Sequence, residues 1–275
     1  MQDFVFNTLD LFEWLMTTAF GIIMDILRLT PREFSPSSYS LVENVAEGVK
    51  NFAFGLLAFF FLMDLAGSAI NFRIRKHEEI IKIVLQAVLG GAILQASFWI
   101  CMMIYNNFGS IITMATSGIN PDINFGEFIE TTKTFVETLG WMETSIMAIF
   151  MIMFLLTIFG LLLSCILVPI QIMFEVYIYS AFAPIPLSTI LTSQKAIAIS
   201  FIKTFAGVCI RGSLVLLGIL LSTTVITSDV LKFENTVAQG IALVLVPIMQ
   251  LSLNIMIIQK GIKSAENFGR GLIGG

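Results

Sequence analysis

The hydrophobic residues of this chain are gathered into long runs that contain almost no charge. A run of about 18 such residues or more is long enough, as a helix, to cross a bilayer core of about 30 Å. Runs of this kind cover approximately residues 49–70, 80–104, 145–168, 205–226 and 237–258. The pattern therefore predicts an all-α integral membrane protein with about five transmembrane helices.

The first apolar segment, residues 4–29, differs from these runs because it carries several charges. Asp10 and Glu13 are three residues apart and therefore share one helix face. A buried acid costs a few kcal/mol in a bilayer, which favours an N-terminal interfacial amphipathic helix over a transmembrane one. A true span is the alternative. Residues 30–48 contain proline and several serines, so we expect 1–48 to hold this helix and an external loop.

The composition supports a membrane protein. Hydrophobic residues make up 57% of the chain and charged residues 12%, whereas soluble domains average about 45–50% and about 25%. The mean hydropathy is +0.92. The three cysteines, Cys101, Cys165 and Cys209, lie inside apolar runs without metal or disulfide spacing. We interpret them as small apolar residues.

The basic residues predict the orientation of the membrane domain, residues 49–258. Connections 71–79 and 187–204 and the short tail, 259–275, are basic, whereas connection 105–142 is mostly acidic. Lysine and arginine are enriched in cytoplasmic loops. Five spans place all the basic connections in the cytoplasm, 105–142 outside, the N-terminus outside and the C-terminus inside.

The sequence contains no recognisable catalytic constellation. We find no glycine-rich phosphate loop and no metal-ligand cluster, and the single histidine, His77, lies in a basic stretch. We therefore expect no enzyme activity, no catalytic residue, no metal and no cofactor.

Two charges within the predicted spans are candidates for function. Asp64 lies in the inner half of the first span, and Arg211 lies near the start of the fourth. An unpaired charge facing lipid costs at least a few kcal/mol, so each should face protein or water. We predict that Asp64 and Arg211 pair or line a hydrated path. In the alternative, Arg211 reaches the lipid phosphates and Asp64 caps a packed interface.

A further candidate follows the longest apolar run. A helix over residues 145–182 would be about 57 Å long at 1.5 Å per residue, so it either projects from the membrane or bends at Pro169. Glu175 suits an interfacial or protein-buried position. Proline ends helices, so we expect an extended or turned, rigid elbow after Phe182. It is formed by Ala183, Pro184, Ile185 and Pro186. A plain helix stop is the alternative.

The basic loop after an early span, the long apolar helix ending in Ala-Pro-Ile-Pro, and the five-span layout resemble the TrbL-like subunits over about residues 45–260. These are polytopic inner-membrane components of type IV secretion and conjugation machines. The resemblance implies a homo-oligomeric channel or scaffold subunit in the bacterial cytoplasmic membrane, which assists DNA or protein translocation and depends on separate ATPases. Its candidate translocation-path or subunit-contact residues are Asp64, Glu175, Arg211, Ala183, Pro184, Ile185 and Pro186.

Two alternatives remain open at this point. Arg73, Arg75 and Lys76 form a basic cluster that can contact phosphates of DNA in transit or anionic lipid equally well. A stand-alone secondary transporter of a small solute is the competing function. Such a protein needs a binding site near the membrane midplane, whereas the strongest charges here lie near one face.

Overall fold

The structure is a computed structural model that describes residues 2–70, 77–116 and 126–227, together with residues 253, 256–265, 267, 268 and 271. The described residues are almost entirely helical and include no strand. The predicted all-α class is therefore confirmed. The helices are α1 (Gln2–Arg28), α2 (Pro31–Phe34), α3 (Pro36–Ile70), α4 (His77–Gln95), α5 (Ser97–Thr116), α6 (Gly126–Glu137), α7 (Trp141–Phe182), α8 (Pro184–Leu187) and α9 (Lys195–Thr227).

Three described segments are long and apolar enough to cross a membrane. They are Pro36–Gly67, Trp141–Phe182 and Lys195–Ser222. A bent pair of helices makes a fourth candidate if it counts as one span. The predicted span at 237–258 lies mostly outside the described residues. The chain is thus a multi-pass membrane protein.

The bent pair replaces the single straight helix expected over 80–104. Ile81–Gln95 and Ser97–Ile111 meet at an angle of 62°, although the amide of Ile100 still donates to the carbonyl of Ala96. Before the bend, α4 packs closely on α3, since a Cβ added to Gly90 would lie 3.2 Å from Leu57 Cδ1. A small residue at this position permits the close approach.

Two segments expected as loops are helical instead. Helix α3 begins at Pro36, so much of 30–48 is helical, with Pro36 suited to a first turn. Ala46 is buried with Phe98 and Met102, and this packing explains the longer helix. Similarly, 105–142 contains the end of α5 and all of α6. Polarity alone does not reveal this helical packing, and the external location of both segments remains a prediction.

The chain forms two compact units, and the first comprises residues 1–28, 112–170 and 212–268. In this unit α1 packs against α6. Lys133 of α6 lies 2.6 Å from the carboxylate of Asp10. The prediction of a helix over 4–29 is confirmed, with Leu9 and Met16 fully buried. Helix α1 is not among the candidate spans, and its interfacial location remains a prediction.

The second unit comprises residues 29–111, 171–211 and 269–275. Helix α2 begins with a capping box between Thr30 and Glu33, which satisfies two backbone amides. The Tyr177 hydroxyl of α7 donates to the carbonyl of Pro31. Helix α8 packs against both α3 and α4. The candidate functional residues whose side chains are described lie mainly in this unit.

Candidate functional site

A partly buried ion pair links α7 to α9. Arg211 donates from Nη1 to Glu175 Oε2 at 2.8 Å and from Nη2 to Glu175 Oε1 at 3.1 Å. The pair is therefore bidentate, the strong and directional geometry of guanidinium and carboxylate. The Arg211 side chain is 4% exposed, whereas that of Glu175 is 25% exposed. The carboxylate thus has one edge that reaches the protein surface.

Gln171 extends this pair to the surface. Its Nε2 donates to Glu175 Oε1 at 3.0 Å. Gln171 lies one helical turn before Glu175, on the same face of α7. Gln171 itself is exposed. Arg211 Nε is buried and has no hydrogen-bond partner among the described residues. We call Gln171, Glu175 and Arg211 the polar network.

Aromatic packing holds the two helices of the polar network together. The ring of Tyr179 on α7 lies 6.1 Å from that of Phe201 and 6.4 Å from that of Phe205 on α9. The Phe201 and Phe205 rings are stacked with centroids 6.2 Å apart. Both phenylalanines precede Arg211 on α9, so this contact fixes the register in which the guanidinium meets Glu175.

The predicted pairing of Asp64 with Arg211 was wrong. Asp64 Oδ2 instead accepts a hydrogen bond from the backbone amide of Ser193 at 2.9 Å. The sequence predicted an interfacial or protein-buried position for Glu175 but did not identify it as the partner of Arg211. The structure brings Glu175 and Arg211 together, and joins Asp64 to the segment that follows the elbow.

The elbow is a compact series of turns. Ala183 has helical backbone angles, φ −51° and ψ −35°, and α8 follows directly. The hydroxyls of Ser188 and Thr189 donate to the carbonyls of Ile185 and Pro186 at 2.7 and 2.8 Å. The same two carbonyls also accept from the backbone amides of Ser188 and Thr189, at 3.3 and 3.2 Å, so both side-chain and main-chain bonds close these turns. An extended elbow was therefore wrong, and the turned form that we also considered is present.

A pocket of about 750 Å³ lies between α3, α4 and the segment after the elbow. Its polar lining residues are Asp64, Gln86, Thr192, Ser193 and Lys195. Its apolar lining residues include Leu57, Phe61, Ile83, Ala87, Ile190 and Leu191. Sequence reasoning selected Asp64 but missed Thr192, Ser193 and Lys195, because the sequence does not show that α3 lies beside this segment.

The remaining sequence candidates have other outcomes. Arg73, Arg75 and Lys76 lie outside the described residues. The three cysteines are free and buried, as small apolar residues would be. Among the residues that the structure describes, no three His, Cys, Asp or Glu side chains are grouped to hold a metal ion.

A second close helix contact, in the first compact unit, was also missed. A Cβ added to Gly218 of α9 would lie 2.8 Å from the carbonyl oxygen of Gly261 and 3.2 Å from Ala265 Cβ. The Ser222 hydroxyl donates to the Gly218 carbonyl at 2.6 Å. Small residues four apart on each segment, Gly218 with Ser222 and Gly261 with Ala265, were the available signal.

Comparison with models of known protein families identifies a related family. The family model for TrbL/VirB6 plasmid conjugal transfer like proteins matches residues 16–184, more than half of the chain. The matched region includes Asp64, Gln171, Glu175 and Pro184 and ends before Arg211. No curated protein and no solved structure matches the chain.

Proposed function

The chain belongs to the TrbL/VirB6 family of plasmid conjugal transfer like proteins, and we propose that it is a channel or scaffold subunit that assists DNA or protein across the cytoplasmic membrane. Family membership makes it a component of a conjugal transfer or type IV secretion machine. The family is one of structural conjugation components and is not a known enzyme family. Membership also favours the machine subunit over a stand-alone solute transporter.

The polar network is the observation that carries the finer proposal. Gln171 is exposed and Glu175 partly exposed on α7, within a segment whose composition is that of a membrane span. Polar groups at membrane depth face protein or water because exposure to lipid is costly. The Gln171–Glu175 edge is therefore a contact with another subunit or one wall of a hydrated path. The elbow residues, Ala183, Pro184, Ile185 and Pro186, set the position of the segment that follows this edge.

The partners follow from the same proposal. Membership of the family implies contacts with other subunits of the transfer machine. We extend this to a homo-oligomer, to separate ATPases as the energy source, and to DNA in transit as one possible cargo. Arg73, Arg75 and Lys76 are the proposed contacts for anionic lipid or nucleic-acid phosphates.

The proposed orientation has the N-terminus outside and the C-terminus in the cytoplasm. It requires the segment that follows α3 and the segment that precedes α9 to lie on the same side of the membrane. The hydrogen bond between Asp64 and Ser193 supports this arrangement, since it joins the end of the first of these helices to the approach of the second. The basic residues then assign that side to the cytoplasm.

Transfer frequency tests the proposal. In a donor that lacks its own copy, we expect Glu175→Gln and Arg211→Gln to lower transfer by at least about tenfold, the loss that about 1.4 kcal/mol produces. Membrane levels are measured in parallel. The double variant Glu175→Leu/Arg211→Met removes the ion pair of the polar network without leaving one buried charge, so it separates loss of function from misfolding.

Glu43→Gln, an exposed acid on α3, is the matched control and should transfer normally. If the double variant accumulates in the membrane and supports normal transfer, the polar network has no role in transfer. If deletion of the whole chain leaves transfer unchanged, the machine role itself is wrong.

A further inference from the structure

The pocket between α3, α4 and residues 190–195 contains one carboxylate and one ammonium group. Asp64 is half-buried and uses Oδ2 to accept from the Ser193 amide; Oδ1 has no hydrogen bond within the described part of the chain. Lys195 also lines the pocket, and it forms no ion pair with the described residues. Both charges are therefore available to a ligand.

We place these charges at the depth of lipid headgroups. Asp64 is within one turn of the end of the candidate span Pro36–Gly67, and Lys195 begins the candidate span Lys195–Ser222. Ends of spans lie at the border between the hydrocarbon core and the headgroup region. A ligand held by both side chains would thus have its polar part at this border.

The rest of the pocket is apolar and lies deeper along α3. Leu57 lies two turns and Phe61 one turn before Asp64 on α3, and Ile83 and Ala87 of α4 face the same space. Met63, which lines the pocket, is 55% exposed, and its neighbour Leu62 is 61% exposed. Exposed apolar side chains on a spanning helix contact lipid, so acyl chains have access to this surface. The volume, about 750 Å³, is in the range of small-molecule sites, about 300–1,000 Å³.

We propose that this pocket binds a phosphatidylethanolamine molecule from the bilayer, with its ammonium on Asp64, its phosphate on Lys195 and the start of an acyl chain against Leu57 and Phe61. A primary ammonium donates hydrogen bonds to a carboxylate, which the quaternary group of phosphatidylcholine cannot do. Phosphatidylglycerol has no cation for Asp64. This site is independent of the proposed role in transfer.

Lipid titration of the purified full chain in detergent, followed by native mass spectrometry, tests the proposal. Phosphatidylethanolamine, phosphatidylcholine and phosphatidylglycerol with identical acyl chains are compared. We expect phosphatidylethanolamine to bind at least about fivefold more tightly than either of the others, as loss of one charge-assisted hydrogen bond would give. Asp64→Asn should abolish this preference, and Lys195→Gln should weaken binding of phosphatidylethanolamine by a similar factor.

Matched controls are Glu43→Gln on α3 and Lys203→Gln on α9, both exposed positions outside the pocket. Both should keep the preference. Ala87→Phe, which fills the pocket without changing its charge, should lower binding and so tests the site even if Asp64→Asn is unstable. Equal binding of the three lipids, a preference for phosphatidylglycerol, or an unchanged preference in Asp64→Asn would overturn the proposal. So would equally tight binding of soluble glycerophosphoethanolamine, because the lipid chain would then contribute nothing.

Discussion

Helix α9 is held by two contacts of opposite character. Near its middle, Arg211 forms a bidentate ion pair with Glu175 of α7. Further along, Gly218 and Ser222 pack closely against Gly261 and Ala265, with only small side chains in the contact. The first contact depends on charge and has an exposed edge, whereas the second depends on the absence of a Cβ and is buried.

The ion pair therefore differs in its role from the close packing at Gly218 and Gly261. Two charges moved out of water lose hydration that their attraction only partly restores, so a buried ion pair is weak evidence for stability. A contact between small residues stabilises by dispersion, backbone approach and hydrogen bonding, and it has no charge to present to a partner. We therefore assign function to the polar network and structural support to the glycine contact.

The largest effect should come from breaking the ion pair on one side only. Glu175→Gln leaves the Arg211 guanidinium buried without its counter-charge, which costs about 3 kcal/mol or more in the free energy of unfolding. The double variant Glu175→Leu/Arg211→Met should be much less destabilised than either single variant. Denaturant titration in mixed micelles measures both. Equal losses in the single and double variants would show that packing, and not charge, dominates at this position.

A smaller loss should follow from adding a side chain to the glycine contact. A Cβ at Gly261 would lie 2.2 Å from Ser222 Oγ and 3.0 Å from the Gly218 carbonyl oxygen. Overpacking of this kind costs about 2 kcal/mol. We expect Gly261→Val to lower the unfolding midpoint of the same titration. Gly160→Val on α7 is the control, because an added Cβ there has nothing within 4 Å. An equal loss of stability in both variants would show that the close contact at Gly261 does not stabilise the fold.

The smallest effect should come from the partly exposed pair of Asp10 and Lys133. Hydrogen bonding to Asp10 raises the pKa of Lys133 above its usual 10.5. A raised lysine pKa stabilises the folded state fully below pH 10.5, and this contribution is lost as the pH rises through the folded-state pKa. Asp10→Asn should lower the unfolding free energy by less than about 1 kcal/mol. The loss should be seen only below the folded-state pKa of Lys133. Asp25→Asn, an exposed acid on the same helix, should show neither effect.

Much of the fold was predictable from periodicity and length. The long apolar runs gave α3, α7 and α9 because a spanning helix must satisfy its backbone within itself. The bend after Gln95 was not predictable, since no proline marks it and its hydrogen bonds largely continue. The helical start of α3 was missed because it depends on the packing of Ala46 against Phe98, which the local sequence does not show.

The sequence predicted which residues belong to the candidate site but not which residues they contact. Asp64, Glu175 and Arg211 stood out as charges within or beside apolar runs, which is a strong local signal. Their partners depend on which helices are neighbours. The chain distance between Glu175 and Arg211 is 36 residues, and that between Asp64 and Ser193 is 129. The bond from Gln171 to Glu175 also depends on the position of the ion pair, which the sequence does not show.

The central claim is that the Gln171–Glu175 edge of α7 faces water or another subunit within the membrane. Gln171→Cys, in a chain whose three buried cysteines are replaced by alanine, tests it in native membranes. A hydrophilic maleimide labels the thiol if it faces water, because thiolates form poorly in lipid. A short bifunctional cross-linker joins two such thiols if a neighbouring copy of the chain lies close by. We predict labelling or cross-linking at Gln171→Cys well above that at Val88→Cys, an exposed apolar position on α4. Equal inertness of the two positions towards both reagents would contradict the account.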